Sequence, residues 1–198
     1  MSTSASPLVV GIAGGSASGK STLTRALADM LQQKQHQVSI MNADRYMRKD
    51  IDDPQTPTFY SPSTGTTLFD ANHPNSINWT ALLEDLNTGL SAVDRPDIVL
   101  LEGHLLFYEE RVRQQLNLRI FIELDADERA LRRMLRDMQG GRTSRDPVFI
   151  ANYYLECARV GHARYIEPSR IYADLIVRGD AHWERLGPML CAIIESRI

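Results

Sequence analysis

The residues Gly14-Gly15-Ser16-Ala17-Ser18-Gly19-Lys20-Ser21 match the pattern G-x-x-x-x-G-K-[ST] at every position. The chemistry such a run can do is anion binding. Glycines let the backbone curl until successive N–H groups point into one concavity. A helix starting at Lys20 adds the positive end of its dipole. The Lys20 ammonium can then reach the β- and γ-phosphates of a nucleotide, and the Ser21 hydroxyl can sit on Mg²⁺. Thr22 offers a further hydroxyl at the helix start. The alternative is a chance Gly/Ser-rich turn, and the context disfavours it. Leu8–Ala13 reads as a short buried strand before the loop, and Leu23, Ala26, Leu27, Met30 and Leu31 follow at helical spacing.

Two carboxylates stand where such a loop would use them. Asp44 lies just beyond a second apolar run, Gln37–Met41, where it could orient an acceptor hydroxyl and take its proton. Taken alone, it could equally cap a turn. Glu102 closes the run Ile98–Leu101 and is placed like a Walker-B acid, so Ser21, Glu102 and Asp44 form the candidate set around Mg²⁺. Arg132, Arg133, Arg136, Arg142 and Arg145 crowd around the Gly140-Gly141 break. A guanidinium is planar and donates two parallel hydrogen bonds, which suits phosphate. Residues 132–146 therefore read as a lid that closes over phosphates and excludes water, against the alternative of a solvated helix face.

These groups need a scaffold that brings distant parts of the chain together. Strands are expected at Leu8–Ala13, Gln37–Met41, Ile98–Leu101, Leu118–Leu124 and Leu175–Val177, with helices between them. Asp146-Pro147 carries a helix start, Asp as cap and Pro in the first turn. That alternation implies an α/β fold with a parallel, doubly wound sheet. Between Arg45 and Asn78 the periodicity disappears, and Pro54, Pro57, Pro62, Gly65 and Pro74 punctuate a long irregular stretch. It follows a strand's carboxyl end, where open α/β sheets bind ligands, so residues 45–78 are expected to form the acceptor side.

The chain as a whole bounds the reading. At 198 residues it is most simply one domain, and 43% hydrophobic with 24% charged residues is ordinary for a globular protein. A net charge of −3 argues against a nucleic-acid-coating surface. The cations are unusual: Lys20, Lys34 and Lys49 are the lysines, and the rest are arginines. Cys157 and Cys191 are isolated, which suggests reduced thiols in a cytoplasmic protein. Met1–Pro7 lacks the basic start of a signal peptide, and the apolar runs are too short to span a bilayer. A homo-oligomer remains open.

Gly14–Thr22, Asp44, Val99–Phe107 (VLLEGHLLF), Asp125–Asp137 (DADERALRRMLRD) and Tyr165–Val177 (YIEPSRIYADLIV) together resemble the uridine kinase/phosphoribulokinase-like family of P-loop kinases. The resemblance runs from Leu8 to Gly179. It implies a P-loop NTPase fold with about five parallel strands and an arginine-rich lid. It also implies a kinase using ATP and Mg²⁺, in which Asp44, Lys20, Arg133 and Arg136 do the chemistry. Residues Gly14 to Thr22 and Arg142 would hold the nucleotide. Asp44, Asn72, His73, His104 and Arg133 would face the acceptor.

Two departures bear on that acceptor. The family usually carries a D-H-P segment whose Asp holds a ribose; this chain has Asn72-His73-Pro74. The family's pyrimidine-reading hairpin falls between the counterparts of Asn87 and Asp97, where this chain has Thr88–Pro96 alone. The 50–67 stretch, with Phe59 and Tyr60, is the candidate for a different acceptor pocket, although those aromatics could equally anchor a loop. The reading is a kinase for a hydroxyl on a nucleoside or sugar-like small molecule, on which uridine and cytidine would be poor acceptors. Nicotinamide riboside, ribulose phosphate and pantothenate are the other acceptors considered. A GTPase-like switch or non-catalytic regulatory module is the rival class, and no N-K-x-D guanine-reading motif supports it.

Overall fold

The run LVVGIAG is buried at every position, without the alternation of a half-exposed strand. Such a strand needs protein on both faces, the situation of a central parallel strand. The computed structural model describes residues 6–140 and 144–198 and places this strand, β1 (Leu8–Gly14), in the middle of a five-stranded parallel sheet. In chain order the elements are β1, α1 (Lys20–Gln33), β2 (Val38–Asn42), the hairpin β3 (Thr58–Ser61) and β4 (Thr66–Phe69), and α2 (Trp79–Ser91). Then come β5 (Ile98–Glu102), α3 (Glu110–Arg113), β6 (Leu118–Glu123), α4 (Ala126–Met138) and α5 (Pro147–Tyr153). The chain continues from α5 as one long helical rod. Two π-turns, Tyr154–Ala158 and His162–Ile166, flank α6 (Arg159–Gly161), and α7 (Glu167–Ser169) follows. The second π-turn widens the helix before Pro168, which has no N–H to give. Strand β7 (Leu175–Arg178) and helix α8 (Trp183–Glu195) complete the order.

The strands lie side by side as β2-β5-β1-β6-β7. Register fixes the alignment of their ends: Ile12 of β1 pairs with Glu102 of β5, and Glu102 pairs with Asn42 of β2. The carboxyl ends of β1, β5 and β2 therefore stand abreast, beside the switch in strand order where α/β sheets bind ligands. Helices cover both faces. On one, Leu23, Leu27 and Leu31 of α1 pack with Leu190, Cys191 and Ile194 of α8 against the sheet. On the other, Leu82 and Leu86 of α2 join Phe107, Phe121 and Ile166. Both cysteines are buried free thiols.

The 45–78 stretch is more ordered than its sequence suggests. Ala43–Tyr46 forms a 3-10 turn, β3 and β4 pair antiparallel around Gly65 (φ 68°), and Pro74–Ser76 forms a second 3-10 turn. Its strands are four residues each, too short to show a period. What steadies them is lateral packing: Phe59 and Leu68 lie against Tyr153, Cys157 and Ala158 of the helical rod. Of the two aromatics expected here, Phe59 packs inward and Tyr60 faces solvent. Between α2 and β5 the chain runs directly through residues 92–97, with no hairpin.

The loop after β1 is gripped from behind. Gly179, just past β7, donates to the Glu123 carbonyl at 2.7 Å and lies against the loop's backbone. A Cβ on Gly179 would overlap the Ser18 carbonyl oxygen and meet Ile122 at 3.2 Å. Backbone cannot swing aside as a side chain can, so Gly179→Ala should push the loop forward. We expect a loss of roughly 1–3 kcal/mol in urea unfolding, as for other overpacked sites. A fall in affinity for anions bound by the loop should accompany it. Unchanged unfolding and unchanged anion binding would show the contact to be slack.

Candidate active site

The loop adopts the conformation its glycines permit. Gly14 (φ 143°) and Gly19 (φ 100°) take left-handed backbone angles, and Ala17 joins them at φ 63°. A side chain on Gly14 would run into the Ile122 carbonyl oxygen. Ser18 is fully buried in the loop's interior. Gly15 faces backward, covered by Arg129 and the His162 ring, while Ser16, Ala17, Gly19, Lys20, Ser21 and Thr22 line a cavity of about 970 Å³. Helix α1 starts at Lys20 with Gly19 as cap and no side-chain capping bond, so its first N–H groups point at the cavity mouth. The Lys20 ammonium donates to the Gly15 carbonyl at 2.8 Å.

Glu102 sits 5% exposed at the floor of that cavity. One carboxylate oxygen accepts from Ser21 Oγ at 2.8 Å, the other from Asn42 Nδ2 at 2.9 Å. Asn42 also accepts from the Asp44 backbone N–H at 2.8 Å, which turns the chain so that Asp44 lines the same space. The Asp44 carboxylate faces His104 Nδ1 at 3.4 Å, and His104 Nε2 lies 3.0 Å from the Ala71 carbonyl. A carbonyl can only accept, so Nε2 is the donor there.

Helix α4 supplies the opposite wall through Arg132, Arg133 and Arg136. Asp137, 2% exposed, holds two of them: Arg136 Nε at 2.8 Å and Arg133 Nε at 3.5 Å. Burial lowers the Arg133 pKa from its ordinary value, and Asp137 opposes that shift. The guanidinium stays charged regardless, given its very high starting point. Arg132 reaches back to the Gly179 carbonyl at 3.1 Å and pairs with Glu128.

The structure thus gathers most of the expected residues in one cavity. Asn72 lines it too, 4% exposed, with its amide 3.4 Å from Cys157 Sγ. His73 lies off the lining: its Nδ1 accepts from Asn75 N–H at 3.1 Å and its ring packs edge-on to Tyr165. Arg142 falls outside the described residues. Arg145 is exposed and lies off the lining. Several lining residues carried no signal in the pattern reading: Asn42, Arg45, Met47, Lys49, Leu68 and Phe69. Phe149 and Tyr153 also line it, and their spacing of four after the Asp146-Pro147 cap could have marked them.

A glycine-bent anion loop, a buried acid touching its serine, and a second acid one strand away are together the layout of a phosphotransferase site. The family model for "Phosphoribulokinase / Uridine kinase family" matches residues 9–89 and 87–181. The chain belongs to this family. A uridine kinase of Deinococcus deserti is 33% identical over 213 aligned positions, covering 97% of each chain. A uridine kinase of Bacillus licheniformis is 31% identical, covering 86% of this chain and 85% of its own. Among solved structures, a provisionally named fructose transport system kinase from Silicibacter sp. TM1040 superposes with a TM-score of 0.65 at 15% identity, covering 89% and 92% of the two chains. One described as a possible uridine kinase from Bacillus stearothermophilus gives 0.57 at 14%, covering 88% and 90%. At those identities the structures support the fold of the family alone.

His162 is a half-buried group that the family motifs did not point to. Its Nε2 lies 3.2 Å from Glu167, while its Nδ1 has no hydrogen-bond partner among the described residues. Burial and the nearby Arg129 cation hold its pKa down to about 4, against the pull of Glu167. Because the folded pKa is depressed, the unfolded chain takes up a proton first as pH falls below about 6.5. Stability contributed by neutral His162 is therefore present above about pH 6.5 and lost as pH falls toward 4, a change on the order of 2–3 kcal/mol. Urea unfolding at pH 7 and pH 4.5 should show that loss, and His162→Phe should flatten it. An equally steep pH dependence in the variant would place the proton uptake elsewhere.

Proposed function

We propose that this chain is an ATP- and Mg²⁺-dependent kinase that transfers the γ-phosphate to a hydroxyl of a small nucleoside or sugar-like acceptor. In this reading residues 1–198 work as one kinase domain. The observation that carries it is the meeting, in one cavity, of Lys20 and Ser21, Glu102, Asp44 and the α4 arginines. A nucleotide's phosphates would lie along residues 14–22, on the N–H groups of the loop and of the first turn of α1.

Ser21 and Glu102 suit a hard cation, since both present oxygen and already touch each other. Among the described residues no three His, Cys, Asp or Glu side chains cluster. Mg²⁺ fits such a site, because it keeps water and phosphate oxygens as most of its ligands. It would supply charge neutralisation between the phosphates. Asp44 would accept the proton of the acceptor hydroxyl as its oxygen bonds to the γ-phosphorus and the bond to the β-phosphate oxygen breaks. Asn42, which holds the Asp44 N–H, keeps that carboxylate aimed. Lys20, Arg133 and Arg136 would stabilise negative charge on the transferring group. Arg142, in a lid spanning residues 132–146, would close on the phosphates.

The direct test is an acceptor screen by ATP consumption, with the phosphorylated product confirmed by mass. Turnover that needs no small acceptor, or needs a protein partner, would replace the kinase with a nucleotide-driven switch.

Three substitutions grade the roles. Asp44→Asn should lower kcat by about 10²–10⁴-fold with ATP binding retained, the usual reach of a general base. A variant at near wild-type kcat would reduce Asp44 to a turn residue. Lys20→Ala should fold normally by circular dichroism yet lose most turnover; full activity would exclude the phosphate role. Arg133→Ala and Arg136→Ala should lower kcat more than ATP affinity, as expected of groups that act on the closed complex. Equal losses in both would mark them as uniform phosphate contacts.

A further inference from the structure

We propose that the β3–β4 hairpin reads the non-reacting end of the acceptor, and that Tyr153 is the residue that positions it. This rests on the kinase reading, and it assigns a specificity element that the family motifs do not cover. Asp44 and His104 mark where the acceptor's hydroxyl must lie. The cavity then extends to two adjoining walls, Leu68 and Phe69 on β4 and Phe149 and Tyr153 on α5. Both walls are apolar or aromatic. Such surfaces recognise a flat apolar body by stacking and burial, not a second polyol end.

Tyr153 joins the walls. Its hydroxyl donates to the Phe69 carbonyl at 2.9 Å and accepts from the Ala71 N–H at 3.2 Å, bracketing the backbone on both sides of Asp70. Its ring packs on Phe149 (6.3 Å, 27° between planes) and edge-on to Phe59 (5.6 Å, 72°). The Arg133 guanidinium lies 5.3 Å from the centre of the same ring. Burial raises the phenol's pKa well above its ordinary value, so it remains a donor throughout the working range. One turn further on, Glu156 accepts from Ser61 Oγ at 2.6 Å and from Ser63 N–H at 3.1 Å, fastening the hairpin's other end. Asp70 accepts from Cys157 Sγ at 3.1 Å, a third tie to the same rod. The hairpin is thus bound to the rod that begins beside the α4 arginines. With no insertion between α2 and β5, β4 supplies Leu68 and Phe69 to the cavity beside Ala71 and Asn72 of the same stretch.

The experiment compares wild type, Tyr153→Phe, Phe69→Ala and Leu68→Ala across uridine, cytidine, adenosine, nicotinamide riboside, ribose and ribulose phosphate. Tyr153→Phe keeps the ring and removes the bracket. It should raise the KM of the best acceptor about tenfold, with ATP KM and saturated kcat within about twofold. Phe69→Ala and Leu68→Ala truncate half-buried side chains, and circular dichroism with thermal melting checks that each variant stays folded. They should narrow the preference for ring-bearing over ring-free acceptors. Melting-temperature shifts with the same panel, Mg²⁺ and an unhydrolysable ATP analogue report binding without turnover. Acceptor binding without phosphorylation would sink the kinase reading alone. An acceptor order and KM unchanged in all three variants would overturn the hairpin proposal. So would equal losses for acceptor and ATP, or a panel that never stabilises wild type more than the analogue does alone.

Discussion

Glu102 is the group on which the arrangement of the site depends. A carboxylate at 5% exposure is costly unless its lone pairs are used, and here Ser21 and Asn42 each occupy one oxygen. Those two partners come from the anion loop after β1 and from the end of β2. The parallel register puts Ile12, Glu102 and Asn42 in one row, so the three loop origins start level. Slipping β5 by one residue would turn Glu102 to the opposite face of the sheet and strand it among apolar side chains. Register and chemistry are therefore one constraint. Asn42 passes it on, since its side-chain oxygen holds the Asp44 N–H and so sets where that carboxylate points.

The anion loop is equally determined from behind. Gly14 leaves room for the Ile122 carbonyl, Gly179 for the Ser18 carbonyl, and Gly15 for Arg129 and His162. Arg129 is itself fixed by donating to the Leu124 carbonyl at 2.9 Å. The loop's back is packed by residues from β6, α4 and the helical rod and by the Gly179 turn. The same rod that supplies His162 also carries Tyr153 and Cys157 against the hairpin and the Asn72 segment. The phosphate end and the acceptor end are consequently braced by one element.

Much of this was legible in the sequence because it depends on long, strong signals. The five sheet strands are aliphatic runs, and their boundaries match the expected ones within a residue or two. The Asp146-Pro147 cap holds as read, with Asp146 accepting from Val148 and Phe149 N–H. The hairpin was not legible, since four-residue strands stabilised by a neighbouring helix carry no period of their own. The P-loop's rear support was invisible for a different reason: Arg129, His162 and Gly179 are far apart in sequence and meet only through the fold. His73 shows the limit of motif transfer. Its neighbour Asn72 enters the cavity, while its own ring is spent capping a turn.

The charge on the cavity wall argues for what it must receive. Lys20, Arg45, Lys49, Arg132, Arg133 and Arg136 line it against Asp44 and Glu102, an excess of positive charge in a partly desolvated space. Each cation–anion contact near 4 Å is worth about 4 kcal/mol at an effective dielectric of 20, so like charges held together cost similarly. Asp137 relieves part of this, but one carboxylate shared between Arg133 and Arg136 leaves a net positive pair. Its role is to fix the two side chains in place while leaving their charge available. A ligand with several negative charges balances such a wall. The repulsion among these cations then becomes selectivity: a neutral or singly charged molecule could fill the volume without offsetting it.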